Sequence, residues 1–90
     1  MSLNTRNLEK IVKGFSNHRR IQLLFLLAEK PGLSVFDVAE ETRCDFRTIG
    51  EHLRRLVISG LVTKKNDGKS VRHKVSDLGN NVLKFLRTLE

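Results

Sequence analysis

The sequence predicts a mainly α-helical domain carrying one small two-stranded β-hairpin, and three features lead to that expectation. Apolar residues recur at helical spacing in several segments, most of them opened by Ser, Asp or Asn and three of them ended near a Gly. Two of these segments, ending at Thr42 and starting at Asp45, are separated by Arg43 and Cys44 alone, which forces a sharp helix-to-helix turn. The chain then changes to a period of two across residues 61–75 and turns at Asp67-Gly68, a hairpin signal. Two short helices followed by a β-ribbon describe a winged helix-turn-helix of about five helices and a two-stranded wing. At 90 residues it is expected to be one domain, residues 1–90, with little room for a second core.

The first helix is expected over residues 5–15, because Leu8, Ile11, Val12 and Phe15 fall at i, i+3, i+4 and i+7. Gly14 and Ser16-Asn17 mark its end and a new start. The second helix, 18–29, contains Ile21 to Ala28, apolar nearly all round, and is the expected buried centre. Pro31-Gly32 stops it. Ser34 then caps a third helix, with Asp37 standing in for the acid of a capping box and Val35, Val38, Ala39 and Thr42 as its inward stripe. Asp45 caps the fourth, over 45–59, where Ile49, Leu53, Leu56 and Val57 face the core and Gly60 provides the left-handed stop. In the hairpin, Val71, His73 and Val75 point one way, and Arg72 and Lys74 the other. Asn66, Asp67 and Gly68 supply a tip tolerant of positive φ. Ser76 caps the last helix, 77–89, with Leu78, Val82, Phe85, Leu86 and Leu89 as its stripe.

Charge points to a partner. The chain carries a net charge of +7, and residues 43–74 hold nine bases against three acids, almost the whole excess. Bases gathered on one helix and one hairpin suit a polyanion, because phosphate contacts release counterions and steer association. Even spacing would have suited a merely solvated surface. The single cysteine, Cys44, excludes an intramolecular disulfide and fits a reducing cytoplasm. The longest apolar run, Leu23 to Ala28, is too short to span a bilayer, and the N-terminal residues lack the pattern of a signal peptide.

Other chemistry finds little support. Cys44, His18, His52 and His73 have no metal-ligand spacing, so no metal site is expected, and Cys44 reads as a small apolar residue in the turn. Gly68-Lys69-Ser70 ends like a phosphate-binding loop, but Thr63 replaces the first glycine and a strand follows. No nucleophile–base set and no cofactor loop is present, so neither catalysis nor a cofactor is expected.

The pattern resembles the ArsR-like winged-helix transcriptional regulators. Asn17-His18-Arg19-Arg20-Ile21 is similar to the segment opening that family's second helix. Leu33-Ser34-Val35-Phe36-Asp37-Val38-Ala39, Thr48 to Leu56 and Gly60-Leu61-Val62 extend the match, while Val75-Ser76-Asp77-Leu78-Gly79 looks more like the wing-to-helix junction of MarR-type and PadR-type regulators. The resemblance covers residues 17–80. It implies a dimer joined through the first and last helices, here Leu8, Ile11, Phe15, Val82, Phe85, Leu86 and Leu89, whose apolar surface also exceeds what one small core needs. Metal-sensing members carry thiols at positions matching Ser34 and Phe36, which cannot supply them. Arg43 stands where Gly or Asn is frequent in the turn, Phe46 where a polar residue is usual and Glu51 where a base is frequent.

The function expected is sequence-specific binding of double-stranded DNA by a cytoplasmic homodimeric regulator. Helix 45–59 would enter the major groove with Arg47, Thr48 and Glu51 nearest the base edges; Arg54 and Arg55 would lie toward phosphate, and Arg43 in the turn would join the DNA-binding set. Arg47 suits a bidentate contact to guanine. Lys64, Lys65, Lys69 and Arg72 on the wing would grip phosphates or probe the minor groove. Two rival readings are a winged-helix module that meets an acidic protein and a winged helix that binds RNA; the lack of Tyr and Trp for base stacking weighs against the latter. Any small-molecule effector would have to sit between helices at the dimer interface.

Overall fold

The computed structural model describes residues 3–90. Its elements are α1 (Thr5–Phe15), α2 (His18–Glu29), α3 (Val35–Thr42), α4 (Phe46–Ile58), β1 (Val62–Asn66), β2 (Val71–Val75) and α5 (Asp77–Arg87). Every helix opens on a side-chain cap. Asn4 accepts from Asn7 N–H, Asn17 from Arg19 and Arg20 N–H, Asp45 from Thr48 N–H, and Ser76 from Gly79 N–H. Ser34 and Asp37 form a complete reciprocal capping box. Each cap satisfies donors that the first turn leaves without partners, worth about 1 kcal/mol.

The core is built around α2. Leu23, Leu24 and Leu27 are fully buried against Val38 and Ala39 of α3, Ile49, Leu53 and Leu56 of α4, Leu61, Val62 and Val75 around the wing base, and Val82 and Leu83 of α5. The helix is less uniformly buried than its apolar run suggests. Ala28 is exposed, and Ile21, Phe25 and Leu26 are half-buried, because a small domain covers only part of a central helix. Arg87 of α5 lies over the Phe25 ring at 5.4 Å, a cation–π contact that ties α5 to α2.

Strands β1 and β2 pair antiparallel in the register Val62↔Val75, Lys64↔His73 and Asn66↔Val71. The hairpin meets the apolar core at its base, where Val62 and Val75 are buried. Val71, expected to face inward with His73 and Val75, is 37% exposed, since it sits near the wing tip beyond the reach of the core. Of the tip residues, Gly68 alone has positive φ; Asp67 holds the turn by accepting from Lys69 and Ser70 N–H. A contact without a local signal ties the two-stranded sheet to the loop after α2. Leu33 bridges His73, with His73 N–H donating to Leu33 O, Gly32 N–H to His73 O, and the His73 ring Nδ1–H to Leu33 O at 2.9 Å. His73 is thereby buried with its polar groups satisfied, and the wing is fastened to the loop after α2.

The junction after the wing is tight. Ser76 N–H donates to Leu61 O and its hydroxyl to Gly60 O. A Cβ on Gly79 would stand 2.2 Å from Leu61 O and 2.6 Å from Val75 Cγ1, so α5 can approach the wing base only with glycine there.

The terminal helices divide the expected dimer stripe in two. Val82 is buried within the protomer and belongs to its own core, as does Leu83, which the stripe omitted. Ile11, Phe15 and Leu86 are half-buried against that core. Leu8, Phe85 and Leu89 remain exposed, and Val12 joins them. Both helices pack on α2, and the side of α5 that meets it takes Val82 and Leu83 inward.

Candidate nucleic-acid interface

Helix α3, the turn and α4 form the helix-turn-helix. Arg43 ends α3 in the left-handed conformation, φ 54°, the sole non-glycine residue with positive φ among those described. That geometry reverses the chain within two residues, and Cys44 then settles half-buried with Sγ donating to Thr42 O at 3.3 Å. The reversal throws the Arg43 side chain outward.

On α4, Ile49, Leu53 and Leu56 turn inward, and Arg47, Thr48, Glu51, Arg54 and Arg55 are exposed. Arg47 has no ion-pair partner among the described residues. Thr48 is committed to the cap, its hydroxyl donating to Asp45 at 3.2 Å. Glu51 accepts from Arg54 at 3.0 Å and Arg55 at 3.2 Å, so its carboxylate organises the two guanidiniums. Those contacts hold Glu51 below the ordinary carboxylate range. So engaged, the carboxylate holds two guanidiniums beside it on the exposed face. Asp45 is also held below its usual value, chiefly by the Thr48 N–H.

The wing divides its cations by pleat. Lys65, Arg72 and Lys74 share one face, with Lys65 directly opposite Arg72. Like charges placed opposite each other on a hairpin are unfavourable unless an anion relieves them. Asp67 supplies part of that relief, pairing with Arg72 Nε at 2.5 Å, while Arg72 Nη1 donates to Gly32 O at 3.0 Å. Arg72 is thus partly structural, whereas Lys64, Lys65, Lys69 and Lys74 are exposed with no acidic partner among the described residues.

A second basic surface has no counterpart in a count of charge along the chain. Arg6, Lys10 and Lys13 of α1 meet Arg20 and Arg55 around an open groove of about 330 Å³, with Glu9 as its one acid. Arg20 is fixed there, donating to Gly14 O at 2.8 Å and to His52 Nδ1 at 3.3 Å. Burial, then the charges of Arg20 and Arg19, keep the His52 imidazole below its usual pKa. Outside residues 43–74 bases and acids nearly cancel in number, but the fold sends most of the acids elsewhere. Among the described residues no cluster of His, Cys, Asp and Glu could hold a metal, and no helix is long and apolar enough to cross a membrane.

A helix-turn-helix with a basic second helix, followed by a basic hairpin held at its base and by the loop after α2, defines a winged-helix regulator. Residues 17–64 match the family described as bacterial regulatory protein, arsR family, and this chain belongs to it. Its fold and family are those of transcriptional regulators rather than enzymes. No curated protein matches the chain in sequence. Among solved structures, HlyU from Vibrio cholerae N16961 superposes with a TM-score of 0.83 at 24% identity, covering 99% of this chain and 97% of that one. The winged helix-turn-helix DNA-binding domain of Mb0332 from Mycobacterium bovis, a homodimer and a possible ArsR-family regulator, gives a TM-score of 0.82 at 25% identity over 94% of this chain and 78% of that one. NolR from Sinorhizobium fredii gives 0.83 at 19% identity, covering 94% and 85%.

Proposed function

We propose that this protein is a homodimeric cytoplasmic regulator that binds double-stranded DNA sequence-specifically, with α4 in the major groove and the β1–β2 hairpin as the wing. One observation carries the reading. Arg43 and Arg47 around the start of α4 and Lys64, Lys65, Lys69 and Lys74 on the wing are exposed with no acidic partner among the described residues, and Lys65 stands opposite Arg72, whose charge Asp67 offsets only in part. Such repulsion is tolerable when a polyanion lies against it. Arg47, in the first turn of α4, is the group for a bidentate contact to guanine, while Arg43, Arg54, Arg55, Lys64, Lys65 and Lys69 meet phosphate. Glu51 acts by holding Arg54 and Arg55 in place.

The dimer reading is supported by Leu8, Val12 and Phe85, large apolar side chains exposed on the two terminal helices, by Leu89 exposed just past the end of α5, and by the homodimeric state of the Mb0332 domain. A two-fold dimer sets its recognition helices about 34 Å apart, one turn of DNA, so the operator is an inverted repeat.

Selection of bound fragments from random duplex DNA, followed by titration against salt, tests this. An inverted repeat with a steep log–log salt slope is the expected result. Equal affinity for every duplex, or preference for structured RNA in competition, would refute it. Within the selected site, Arg47→Ala should cost about 1–3 kcal/mol and relax preference at one position per half-site.

A further inference from the structure

The N-terminal half of α4 holds two features that packing does not explain. Phe46, its first residue, is 57% exposed, and Phe36 on α3 is 61% exposed. The two rings line a shallow groove with Ala39, Glu40, Arg43 and Cys44. One turn along α4 from Phe46 stands Gly50, a glycine in the body of a helix. Glycine weakens a helix interior relative to alanine, so its presence there calls for a reason. Close packing is not the reason. A Cβ on Gly50 would meet only Val35 Cγ1, at 3.7 Å, an ordinary contact. Nor is backbone geometry, since Gly50 is not among the positive-φ glycines.

Residues four apart lie on the same helix face, so Phe46 and Gly50 make one strip: an apolar ring beside a bare stretch of backbone. Arg47 adjoins this strip on α4, and Arg43 flanks the Phe46 ring from the turn. What fits is an apolar group carried by a polyanion and able to come close to the helix. In duplex DNA that group is the C5-methyl of thymine, the one apolar feature of the major-groove edge and a known partner for phenylalanine. The residues at the start of a recognition helix are those that reach base edges.

We propose that Phe46 and Gly50 form a thymine-reading notch, with the methyl group against the Phe46 ring and Gly50 leaving room for the base edge. The assignment rests on duplex DNA lying along α4. It adds a specificity element that uses no hydrogen bond, separate from Arg47.

The test uses the full chain and the duplex obtained by selection. Each thymine is replaced singly by deoxyuridine, which removes the methyl group and leaves base pairing intact. Wild-type protein should lose about three- to ten-fold in affinity at one position per half-site. Phe46→Gln should bind the thymine duplex as weakly as wild type binds the deoxyuridine duplex, with no further loss at that position. Gly50→Ala should melt no lower than wild type and still bind the thymine duplex more weakly. If no single replacement changes wild-type affinity, or if Phe46→Gln keeps the full sensitivity, the notch is wrong while DNA binding stands. The wild-type series decides the matter even should Phe46→Gln fold poorly. If no duplex is bound with a salt-dependent affinity, both the notch and the reading beneath it fall. A protein ligand that competes for this face in place of DNA would have the same consequence.

Discussion

Replacing Phe85 by aspartate gives the sharpest test of assembly, because the structure separates an interface role from a core role. Phe85 is 54% exposed in the protomer, while Val82 and Leu83 on the same helix are buried. A phenylalanine offers about 200 Å² of side-chain surface, so about 110 Å² of the ring remains to be covered. At about 25 cal/mol per Å², full coverage would contribute about 2.7 kcal/mol per ring, and a two-fold interface contains the pair, about 5 kcal/mol. Interfaces cover rings incompletely, so this is an upper value. Aspartate also sets a carboxylate against an apolar partner surface, which adds to the loss. Dissociation should therefore strengthen by about three orders of magnitude or more. In light scattering at micromolar concentration, wild type should run as a dimer and Phe85→Asp as a monomer. The variant should still unfold cooperatively as a folded monomer, melting lower than wild type only by the association that has been lost, because the replaced ring lies outside the protomer core. Operator affinity should fall steeply, since each half-site would be bound alone. A wild-type monomer under these conditions would refute both the interface and the inverted repeat. A Phe85→Asp chain that stays dimeric would move the interface elsewhere, and one that unfolds would show that the exposed ring is supported by contacts within the protomer.

Three further outcomes are expected. Lys64→Ala with Lys65→Ala should weaken all duplexes alike and flatten the log–log salt slope by about one to two units; an unchanged slope would remove the wing from the contact surface. Arg43→Gly should stabilise the fold in chemical denaturation by about 0.5–1 kcal/mol, because glycine adopts φ 54° without a Cβ penalty, and should bind DNA less tightly through loss of a cation; a loss of stability would show that the side chain, rather than the conformation, matters. Asp67 is held down to about 2 from 3.8, first by the Ser70 N–H, then by the Arg72 guanidinium and the Lys69 N–H. A depressed carboxyl favours the folded wing above the unfolded value and loses that contribution as pH falls through the folded one. The wing tip should therefore loosen between about pH 4 and pH 2, which amide resonances of Lys69 and Ser70 report; no change until the whole domain unfolds would deny Asp67 its role in the turn.

What the amino-acid order determined by itself was local. Caps at Ser34, Asp45 and Ser76, stops at Gly32 and Gly60, and the change of period at residue 61 act within a few residues of one another, so the helices and the hairpin were legible with their boundaries nearly in place. The exposed cations of α4 were legible for the same reason, since burial of Ile49, Leu53 and Leu56 sets the opposite face outward. Tertiary structure decided everything that depended on which surface covers which. Helical period placed Val82, Phe85 and Leu89 on a single stripe, but only the docking of α5 on α2 divides it, taking Val82 and Leu83 inward and leaving Phe85 and Leu89 out. The Leu33–His73 bridge spans forty residues and carries no short-range signal. The groove that gathers Arg6, Lys10 and Lys13 with Arg55 is invisible to any running count of charge. Side-chain period and capping depend on neighbours in sequence, whereas burial and charge clustering depend on neighbours in space, and folding alone supplies those.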